Sequence, residues 1–496
     1  MNYIVSIDQS TSATKAVLFD EQCHLVARVN KAHHQYYPQP GWVEHDADEI
    51  YENTLSVIRD VVEKVPGGAS AVNKFSLSIT NQRETVVIWN KLTGRPIAHA
   101  VVWQDVRGAQ ICQELKAQGK ESVFSQKSGL LLDPYFSGSG AKWLLDNTEG
   151  ARAAAERGEL LMGTTDCWLI WKLTEGRVHA TDYTNASRTL LFNIHTLAWD
   201  DELLSLLDIP RSMMPDVKPC DSIFGTTTVG GLFADPIIIA GDLGDSHGAL
   251  AGQMCFTPGM GKATYGTGSS VMVNIGEECV SAPAGLVTSV GFAACGKVYY
   301  AFEGNIHCQG ATLQWMKNEL RLIESVAEVE PEALSVPDNG GVYLVPAFVG
   351  LGAPWWNNEC RAMICGMSLA TTKGHICRAA LEAIAYQVKD LIDLMTQQAG
   401  VKLQELRVDG GPTKNQTLMQ FQADMLDATI NRSDVEEASA MGAMLMNGLA
   451  RGLWPDLDTV AALRTTDNRI GPHMAADERQ RLHSGWLHAV HTVLAH

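Results

Sequence analysis

The sequence predicts an α/β protein with two domains, and three observations support this expectation. The chain has 496 residues, more than the ~250–300 that one hydrophobic core usually supports. Apolar runs of strand length alternate with segments whose apolar residues recur at helical spacing, an order typical of the α/β class. Glycine-rich turns recur at widely separated places, namely 241–252, 264–270, 351–356 and 408–415. Because strand and turn patterns restart near residue 250, we expect domains of residues 1–250 and 251–496.

The first predicted element is a β-hairpin. YIVSI (3–7) and KAVLF (15–19) have strand length and β-branched content, and the polar cluster between them is rich in turn formers. These residues alone leave two explanations of the cluster open. Small hydroxyl side chains favour turns through bonds to nearby backbone. Alternatively, an acid at the end of a buried strand, followed by hydroxyls and a lysine, could host a phosphate and its metal.

Later segments supply the helices and further strands of the α/β pattern. Residues 46–65 carry apolar side chains at helical spacing, and Asp46 and Glu49 are placed as a capping pair at the helix start. Residues 74–90 read as strand, polar break and strand, and the break contains Gln82, Arg83 and Glu84. Residues 375–400 place apolar side chains on one face and end at Gly400, which predicts a long helix.

The composition of the chain indicates which kind of partner it binds and in which cellular compartment it lies. Lys and Arg number 38 against 56 Asp and Glu, a formal net charge of −18, and no stretch gathers the basic residues into a stripe. We therefore expect a small-molecule partner and no nucleic acid. No apolar stretch has transmembrane length, and the N-terminus runs straight into a strand, so we expect no membrane insertion and a cytoplasmic location. The eleven cysteines lack CxxC spacing, which favours free thiols in a reducing compartment.

The glycine turns do not match the common nucleotide-binding motifs. The chain contains no GxxxxGK[ST], and no GxGxxG opens a helix after a strand. What remains is three strand-turn segments with small residues, at 8–14, 265–268 and 408–411. Glycine lets backbone amides approach an anion, and successive amides in a turn form a concave nest for it. Three such turns, each after an apolar strand, favour a phosphate-binding site.

A longer series of motifs makes the interpretation specific. In chain order they are IDQSTSATKAVLFD, NQRETVVIWNKLTGRPI, VVWQDVR, TDYTNASRTLLFNI, TYGTG, GGVYLVPAF and RVDGG with a following N and LMQFQAD. The series runs from residue 3 to about 453 and resembles the FGGY carbohydrate kinase family, most closely its glycerol kinase branch. The resemblance implies an actin-like, hexokinase-like ATPase fold of ribonuclease H-like domains with related topology. It also implies that the first domain binds sugar or polyol, that the second binds nucleotide, and that the active site lies in the cleft between them.

The resemblance assigns the reacting groups. The position that matches the catalytic base is Asp245, which would accept the proton of the substrate hydroxyl. Asp242 is a rival in the same segment, and a turn-capping role for Asp245 is the structural alternative. Asp8 matches the residue that orients the Mg²⁺ shell, because Mg²⁺ prefers few carboxylates with waters and phosphate oxygens. Alternatively, Asp8 caps its own turn.

The resemblance also assigns the binding residues. Positions that match the ATP site are Thr11, Ser12, Lys15, Thr267, Gly310, Gln314, Gly411 and Asn415. Lys15 stands where the glycerol kinase branch carries Arg, which keeps a charge but loses the bidentate fork. Positions that match residues holding the substrate are Arg83, Glu84, Trp103 and Tyr135.

One end of the predicted substrate pocket departs from the glycerol kinase branch. Ser246 and His247 stand where that branch has two glutamines, and Ser270 stands where it has a Phe that closes the pocket. With Ser246 and Ser270 among the substrate-binding residues, we expect a roomier, wetter end to the site. The expected substrate is therefore longer than glycerol, a C4 or C5 polyol or ketose. His247 is read as a hydrogen-bonding pocket residue in preference to a metal ligand.

The sequence thus predicts an enzyme that uses ATP and Mg²⁺ to phosphorylate a hydroxyl of a small polyol or sugar. The alternative within the family is a glycerol kinase that produces glycerol 3-phosphate. A non-catalytic sugar-sensing protein on the same fold and an actin-like assembly or chaperone ATPase are the rival classes. Retention of both Asp8 and Asp245 opposes the sensor, and the set Arg83, Glu84 and Tyr135 opposes the assembly ATPase. The family suggests a homodimer or homotetramer.

Overall fold

The computed structural model of the chain describes residues 2–283, 285–433, 435, 437–464 and 468–495. Its strands build two large sheets and several small ones. In chain order the strands are β1 (Tyr3–Gln9), β2 (Ala13–Asp20), β3 (Leu25–Ala32), β4 (Glu44–His45), β5 (Phe75–Asn81), β6 (Val86–Asn90), β7 (Arg95–Pro96), β8 (Ala100–Val101), β9 (Leu160–Thr164), β10 (Ala180–Asp182), β11 (Phe192–Asn193), β12 (Ala198–Trp199), β13 (Asp216–Lys218), β14 (Ile223–Thr227), β15 (Ile237–Gly244), β16 (Met260–Tyr265), β17 (Ser269–Gly276), β18 (Val287–Ala294), β19 (Lys297–Ile306), β20 (Tyr343–Val345), β21 (Met363–Cys365), β22 (Glu405–Asp409), β23 (Thr429–Arg432) and β24 (Arg469–Ile470).

Helices lie between these strands, as the α/β prediction requires. The α-helices are α1 (Ala47–Val62), α2 (Ala109–Ala117), α3 (Glu121–Ser128), α4 (Ser137–Asn147), α5 (Ala151–Glu156), α6 (Thr165–Leu173), α7 (Tyr183–Ala186), α8 (Asp201–Leu206), α9 (Asp245–Gly252), α10 (Gly310–Asn318), α11 (Val329–Leu334), α12 (Lys373–Ala399), α13 (Gln416–Leu426), α14 (Ala438–Ala450), α15 (Leu457–Ala461) and α16 (Ala476–Leu494). Short 3₁₀ turns occupy Gly68–Lys74, Arg211–Met213, Val326–Glu328 and Gly411–Lys414.

The first large sheet has the strand order β14-β15-β5-β1-β2-β3. β1, β2 and β3 form an antiparallel meander, whereas β5 and β15 run parallel to β1. Residues Phe75–Asn81 are buried throughout, because helices cover both faces of a central parallel strand. Such a strand is typically a nearly continuous apolar run in the sequence.

The second large sheet repeats this arrangement. Its order is β18-β19-β17-β16-β22-β23-β24, with β16, β17 and β19 antiparallel to one another in turn and β22 and β23 parallel to β16. The additional strand β18 precedes β19 in the chain and pairs with it at the edge. The two halves of the chain therefore share the order of five strands. This confirms the predicted α/β class and the two related units of an actin-like, hexokinase-like fold.

The strand register of the first sheet brings the segments that follow β1, β5 and β15 together at one edge. Asp8 pairs with Thr80 across β1 and β5, and Gly244 pairs with Asn81 across β15 and β5. The carboxyl ends of these parallel strands therefore lie level, and the segments that follow them meet. These segments are the hairpin turn after β1, the polar break after β5 and Asp245 after β15.

Helix α14 belongs to the second predicted domain but packs against the first sheet. The Asn447 side chain accepts a hydrogen bond from the Ser76 hydroxyl and donates to the carbonyls of Leu77 and Ala240. The Ser6 hydroxyl donates to the carbonyl of Ala440 at 2.8 Å. The two halves are thus joined by buried polar contacts and not only by a linker.

The locally predicted elements are present, with two corrections. The opening hairpin is β1 and β2, and α12 ends at Gly400 in the left-handed conformation with φ of 66°. Helix α1 ends at Val62, earlier than predicted, and Asp46 caps it by accepting from the amides of Asp48 and Glu49. The side chain of Glu49 instead accepts from His34, so the capping pair is wrong in its second member.

Among the residues that the structure describes, no helix combines the length and apolar character needed to cross a membrane. The eleven cysteines all lie within the described ranges and are free thiols, as the sequence predicts.

Candidate active site

Eight of the predicted residues surround one cavity of about 430 Å³. This first cavity lies at the edge where β1, β5 and β15 end and faces the turn after β16. Its lining residues are Thr11, Arg83, Glu84, Trp103, Tyr135, Asp245, Ser246, Thr264, Gly266, Gly268, Ser269, Ser270, Asn305 and Ile306. Every residue predicted to bind substrate is among them. The structure also places Thr11 here, although the sequence assigned it to the ATP site.

Asp245 is positioned by the junction between β15 and α9. It is the first residue of α9, and its carboxylate accepts a hydrogen bond from the Ser246 amide at 2.6 Å. The same oxygen lies 3.3 Å from Nε of Arg83, and the side chain is 36% exposed. A Cβ on Gly244 would overlap the Arg83 side chain, so this glycine permits the close approach. The Asp245 carboxylate is therefore oriented and accessible to a ligand.

Arg83 and Glu84 belong to a buried cluster of four charges. The Arg83 guanidinium donates two hydrogen bonds to Glu303, at 2.8 and 2.9 Å. Arg188 donates to Glu84 at 2.6 Å and lies 2.9 Å from Glu303. Burial alone would raise the pKa of Glu303, but the two guanidinium groups outweigh it and hold that pKa below its usual range. No role for Arg188 or Glu303 was predicted from the sequence, and neither residue lines the first cavity.

Aromatic side chains form another wall of the first cavity. The rings of Trp103 and Tyr135 meet edge to face with centroids 5.6 Å apart. The Trp103 indole donates to the Thr11 hydroxyl at 3.0 Å, which fixes the ring against the hairpin turn. Burial raises the pKa of Tyr135, so its hydroxyl stays protonated and can donate to a ligand. An apolar face with a few polar tips suits the carbon chain of a small polyol.

The two serines lie at the predicted open end of the first cavity. Ser270 pairs with Asn305 across β17 and β19, and both residues line the cavity. The Ser270 hydroxyl lies 3.4 Å from Nζ of Lys262, a lysine that is almost fully buried. Burial lowers the pKa of Lys262. This end of the cavity is therefore polar, as the sequence predicts.

The interpretation of His247 as a pocket residue is wrong. His247 is fully buried behind the cavity, and its Nε2 lies 3.0 Å from the Ser289 hydroxyl. Burial lowers its pKa well below the usual range, so the ring is neutral. It is also not part of a metal centre, since the described residues contain no group of three or more His, Cys, Asp or Glu that could hold a metal.

Asp242, the rival of Asp245, points into the protein interior. It is fully buried, and neither carboxylate oxygen has a hydrogen-bond partner among the described residues. Its neighbours are two other buried acids, Asp166 and Asp182, and burial together with these charges raises its pKa well above the usual range. Asp242 does not line the first cavity, so it has no access to a bound ligand.

A second cavity of about 550 Å³ adjoins the first at Gly266. Its lining residues are Tyr265, Gly266, Thr267, Gly310, Leu313, Gln314, Val326, Ala327, Glu330, Leu381, Gly411, Pro412, Lys414, Asn415 and Leu418. Five of the residues predicted to bind ATP are thus brought together. The cavity is large enough for a nucleotide-sized ligand, and a Cβ on Gly411 would meet no atom within 4 Å.

Backbone hydrogen bonds hold the glycine turn between the two cavities. The Thr267 carbonyl accepts from the amides of Gln309 and Ala311, and the Gly266 carbonyl accepts from Gly310. The turn is therefore fixed to the start of α10. Asn415 caps α13 by accepting from the Leu418 amide at 2.8 Å, so the structure gives this residue a helix-capping role beside its place in the cavity wall.

The hairpin of β1 and β2 carries the remaining predicted residues, with Asp8 on β1, Ser12 in the turn and Lys15 on β2. Nζ of Lys15 lies 3.0 Å from Asp8 and 2.9 Å from Glu437, for which the sequence predicted no role. Burial raises the pKa of Asp8, and the Lys15 ammonium opposes that shift. Ser12 is exposed. A magnesium ion fits this locus in chemical terms, because Mg²⁺ needs only one or two carboxylates when phosphate oxygens and waters complete its shell.

Comparison with family models gives two matches in chain order. The N-terminal domain of the FGGY family of carbohydrate kinases matches residues 3–252, and the C-terminal domain of that family matches residues 261–451.

Individual proteins are similar over nearly the whole chain. Glycerol kinase 2 of Thermotoga maritima is 49% identical over 490 residues, which are 99% of this chain and 98% of the relative. Glycerol kinase of Geobacillus kaustophilus is 48% identical, with 99% of both chains covered. The crystal structure of Plasmodium falciparum glycerol kinase with ADP matches with a TM-score of 0.93 at 36% identity, covering 100% of this chain and 98% of that one. A xylulose kinase from Lactobacillus acidophilus, at 21% identity, has a TM-score of 0.89, covers 100% of this chain and 99% of its own, and shares the fold.

Proposed function

The chain belongs to the FGGY family of carbohydrate kinases, and from that premise we propose that it phosphorylates glycerol, with ATP as the phosphoryl donor and Mg²⁺ as the metal. It is a phosphotransferase whose acceptor is an alcohol group of a sugar or polyol. The product proposed here is glycerol 3-phosphate.

One observation carries the choice of glycerol. Relatives that are 48–49% identical over 98–99% of the chain are glycerol kinases. Arg83, Glu84, Trp103, Tyr135 and Asp245 also converge on one cavity of about 430 Å³. An Arg and a Glu offer hydrogen-bond donors and an acceptor to vicinal hydroxyls, and the indole covers the carbon chain.

The expected C4 or C5 substrate is not supported by these relatives. Its premise was that Ser246 and Ser270 leave a roomier end to the pocket, and both serines do line the cavity. Extra space in the pocket removes a steric barrier to a longer polyol, but it adds no interaction that would favour such a polyol over glycerol. Discrimination of hydroxylated substrates requires buried polar groups placed to pair with them. The alternative, glycerol, therefore replaces the longer acceptor.

The chemistry follows from the position of Asp245. The acceptor hydroxyl oxygen forms a bond to the γ-phosphorus of ATP, and the bond from that phosphorus to the bridging oxygen of ADP breaks. Asp245 accepts the hydroxyl proton as the new bond forms. Arg83 and Glu84 orient the acceptor, and Trp103 packs on its carbons. Most of the rate enhancement comes from positioning and charge stabilisation, as in other phosphoryl transfers.

The second cavity is the proposed site of the ATP nucleoside. The phosphates would extend from it past the Gly266 turn towards the opening hairpin, where Thr11 and Ser12 lie in the turn and Lys15 lies on β2. Asp8 would hold Mg²⁺ together with phosphate oxygens, and the ion would neutralise charge on the transferring group. Gly310, Gln314, Gly411 and Asn415 would line the nucleoside site, and Thr267 would contact the phosphates through its turn.

Residues from both halves of the chain line the first cavity. Closure of the two halves on substrate would exclude water, which otherwise competes as an acceptor. We place the reaction in the cytoplasm, which is consistent with the free thiols. The proposed assembly is a homodimer or homotetramer.

An acceptor panel tests the proposal. Purified protein, ATP and Mg²⁺ are incubated with glycerol, C4 and C5 polyols and ketoses, and ADP release and phosphorylated product are measured. We expect the kcat/KM for glycerol to exceed that for each longer acceptor by at least about tenfold, a discrimination of about 1.4 kcal/mol. A C4 or C5 acceptor with a higher kcat/KM than glycerol would refute the choice of glycerol. Without stimulation by any acceptor, the protein would not be a sugar or polyol kinase.

A further inference from the structure

We propose that Glu303 and Arg188 are positioning residues of the acceptor site, which hold Arg83 and Glu84 in the geometry that binds substrate. The inference rests on the proposed function for the identity of the acceptor. Neither residue lines the first cavity, so each would act only through the residues that do.

Glu303 determines the orientation of Arg83. Its two carboxylate oxygens accept from Nη1 and Nη2 of the same guanidinium, at 2.9 and 2.8 Å. A bidentate pair of this kind fixes the plane of the guanidinium as well as its position. Nε of Arg83 is thereby directed towards Asp245, 3.3 Å away. The Arg83 side chain is 6% exposed and that of Glu303 is 2% exposed, so water does not compete for these bonds.

Arg188 extends the same network to Glu84. Its Nε donates to Glu84 at 2.6 Å, and its Nη1 lies 2.9 Å from Glu303. The guanidinium carbon also lies 5.1 Å from the ring centroid of Phe136. Arg188 thus connects the two carboxylates, and Arg83, Glu303, Arg188 and Glu84 form a continuous chain of alternating charge.

The backbone of Glu84 requires this support. Glu84 has φ of 64°, in the left-handed region that a residue with a Cβ adopts at a cost. Such a conformation persists only where surrounding contacts fix it, and it is found at functional sites. Here the Ser137 hydroxyl donates to the Glu84 carbonyl at 2.7 Å, and Arg188 holds the carboxylate.

The network also joins the two halves of the molecule. Arg83, Glu84 and Arg188 lie within residues 3–252, whereas Glu303 is on β19, within residues 261–451. Two arginines and two glutamates balance in charge, so removal of one carboxylate leaves a buried excess of positive charge. Arg83 would then be free to turn fully towards Asp245 and compete with the acceptor hydroxyl for that carboxylate.

Glu303→Gln is the primary test, because it keeps the shape of the side chain and removes the charge. We expect the KM for glycerol to rise at least about tenfold and kcat/KM for glycerol to fall about 10²-fold, the loss expected when a reacting group is misplaced by about 1 Å. The KM for ATP should stay within about twofold, because Glu303 does not line the second cavity. A purely structural role would not separate the two KM values in this way.

Glu405→Gln is the matched control. Glu405 lies on β22 of the same sheet, is largely buried, and accepts from Arg407 at 2.7 Å and Arg469 at 2.9 Å. It lines neither cavity. We expect this variant to lose thermal stability while both KM values stay within about twofold of the wild type.

The outcomes distinguish this inference from the proposed function. Wild-type turnover is measured first, and if the acceptor panel identifies a substrate other than glycerol, that acceptor is used for all variants. A folded Glu303→Gln protein with wild-type KM and kcat for the acceptor would overturn the inference. If Glu303→Gln does not fold, Arg188→Lys decides, because it keeps the charge but loses the fork that reaches both carboxylates. An unchanged acceptor KM in Arg188→Lys would then overturn it.

Discussion

At the scale of single residues, Asp242 and Asp245 are only three positions apart in the sequence, yet the first is buried and the second is accessible. Asp242 lies inside β15 and is fully buried, whereas Asp245 begins α9 with a side chain 36% exposed. The change from strand to helix at Gly244 turns the second carboxylate out into the cavity. Two acids in one short segment thus have different surroundings, and only Asp245 contacts Arg83.

The buried acid should make stability depend on pH. Asp242 faces Asp166 on α6 and Asp182 on β10, with the thiol of Cys167 nearby and the thiol of Cys220 beside Asp182. Burial raises its pKa above the ordinary 3.8, so the folded state binds its proton more tightly than the unfolded chain. The free energy of unfolding therefore falls as pH rises from the ordinary pKa to the folded-state pKa.

Asp242→Asn removes this titration. The free energy of unfolding of the wild type relative to that of Asp242→Asn should therefore fall as pH rises above about 4, the ordinary carboxyl pKa, by up to about 1.4 kcal/mol per pH unit until the folded-state pKa is reached. Urea denaturation across this pH range measures the effect. A difference that does not depend on pH would contradict the account.

Ser270 should set tolerance to longer acceptors. Ser270→Phe would fill the end of the first cavity beside Asn305, so kcat/KM for C4 and C5 polyols should fall at least about tenfold relative to that for glycerol. Ser270→Ala, which removes the hydroxyl without filling space, is the control and should leave the ratio nearly unchanged. Acceptor kinetics on both variants check this, and an unaltered ratio in Ser270→Phe would show that this wall does not limit acceptor length.

Sequence patterns predicted the residues that line the cavity but not those that support it. Arg83, Glu84 and Asp245 follow apolar strands in short polar breaks, and such breaks are visible locally. Glu303 and Arg188 are separated from their partners by 220 and 104 positions. Glu303 stands in the apolar segment VYYAFEG, and Arg188 lies within the motif TDYTNASRTLLFNI. Neither local signal identifies the partner.

At the scale of elements, the turn after β22 is held by a close backbone approach. Gly410 has φ of 100°, and a Cβ there would overlap the Tyr265 carbonyl oxygen at the end of β16. The two neighbouring strands therefore present their glycine turns side by side to the second cavity. This proximity depends on the absence of a side chain at Gly410.

Gly410→Ala should impair the nucleotide site. We expect the KM for ATP to rise at least about tenfold while the KM for glycerol changes little, because the displaced turns line the second cavity. Gly400→Ala is the control, since Gly400 also has a positive φ but a Cβ there meets nothing within 4 Å. That variant should lose about 1 kcal/mol of stability from backbone strain alone. Steady-state kinetics and thermal unfolding measure both variants, and equal ATP KM values would contradict the role of the turn.

Local sequence patterns predicted which segments form helices and strands better than they predicted which strands lie side by side in a sheet. The hairpin β1 and β2 and the long helix α12 have strong periodicity and clear ends. The strands on either side of the 82–84 break were also predicted, but β5 enters the first large sheet and β6 pairs with β8 and β9 in another. Sheet membership depends on distant partners, which alternation within a segment does not reveal.

At the scale of the whole molecule, the first cavity is completed only when both halves of the chain meet. Thr11, Arg83 and Asp245 come from the first half, and Ser270 and Asn305 come from the second. The sequence predicted two units of related topology from the resemblance. It did not predict that α14 packs on the first sheet, because the contacts of Asn447 with Leu77 and Ala240 span 370 and 207 positions.

Acceptor binding should therefore stabilise the whole molecule. A ligand that binds only the folded state raises the free energy of unfolding by about 2.7 kcal/mol at about 100 times its Kd. We expect glycerol to raise Tm along a saturable curve, with an equal concentration of trehalose as the control for nonspecific effects. Calorimetry measures the shift, and equal linear responses to the two solutes would argue against a specific acceptor site.

The most direct measurement is the rate of glycerol phosphorylation by Asp245→Asn. If Asp245 accepts the hydroxyl proton, kcat should fall by about 10²- to 10⁴-fold, while Tm and the KM for ATP stay close to those of the wild type. A folded Asp245→Asn protein that forms glycerol 3-phosphate at the wild-type rate would contradict the account.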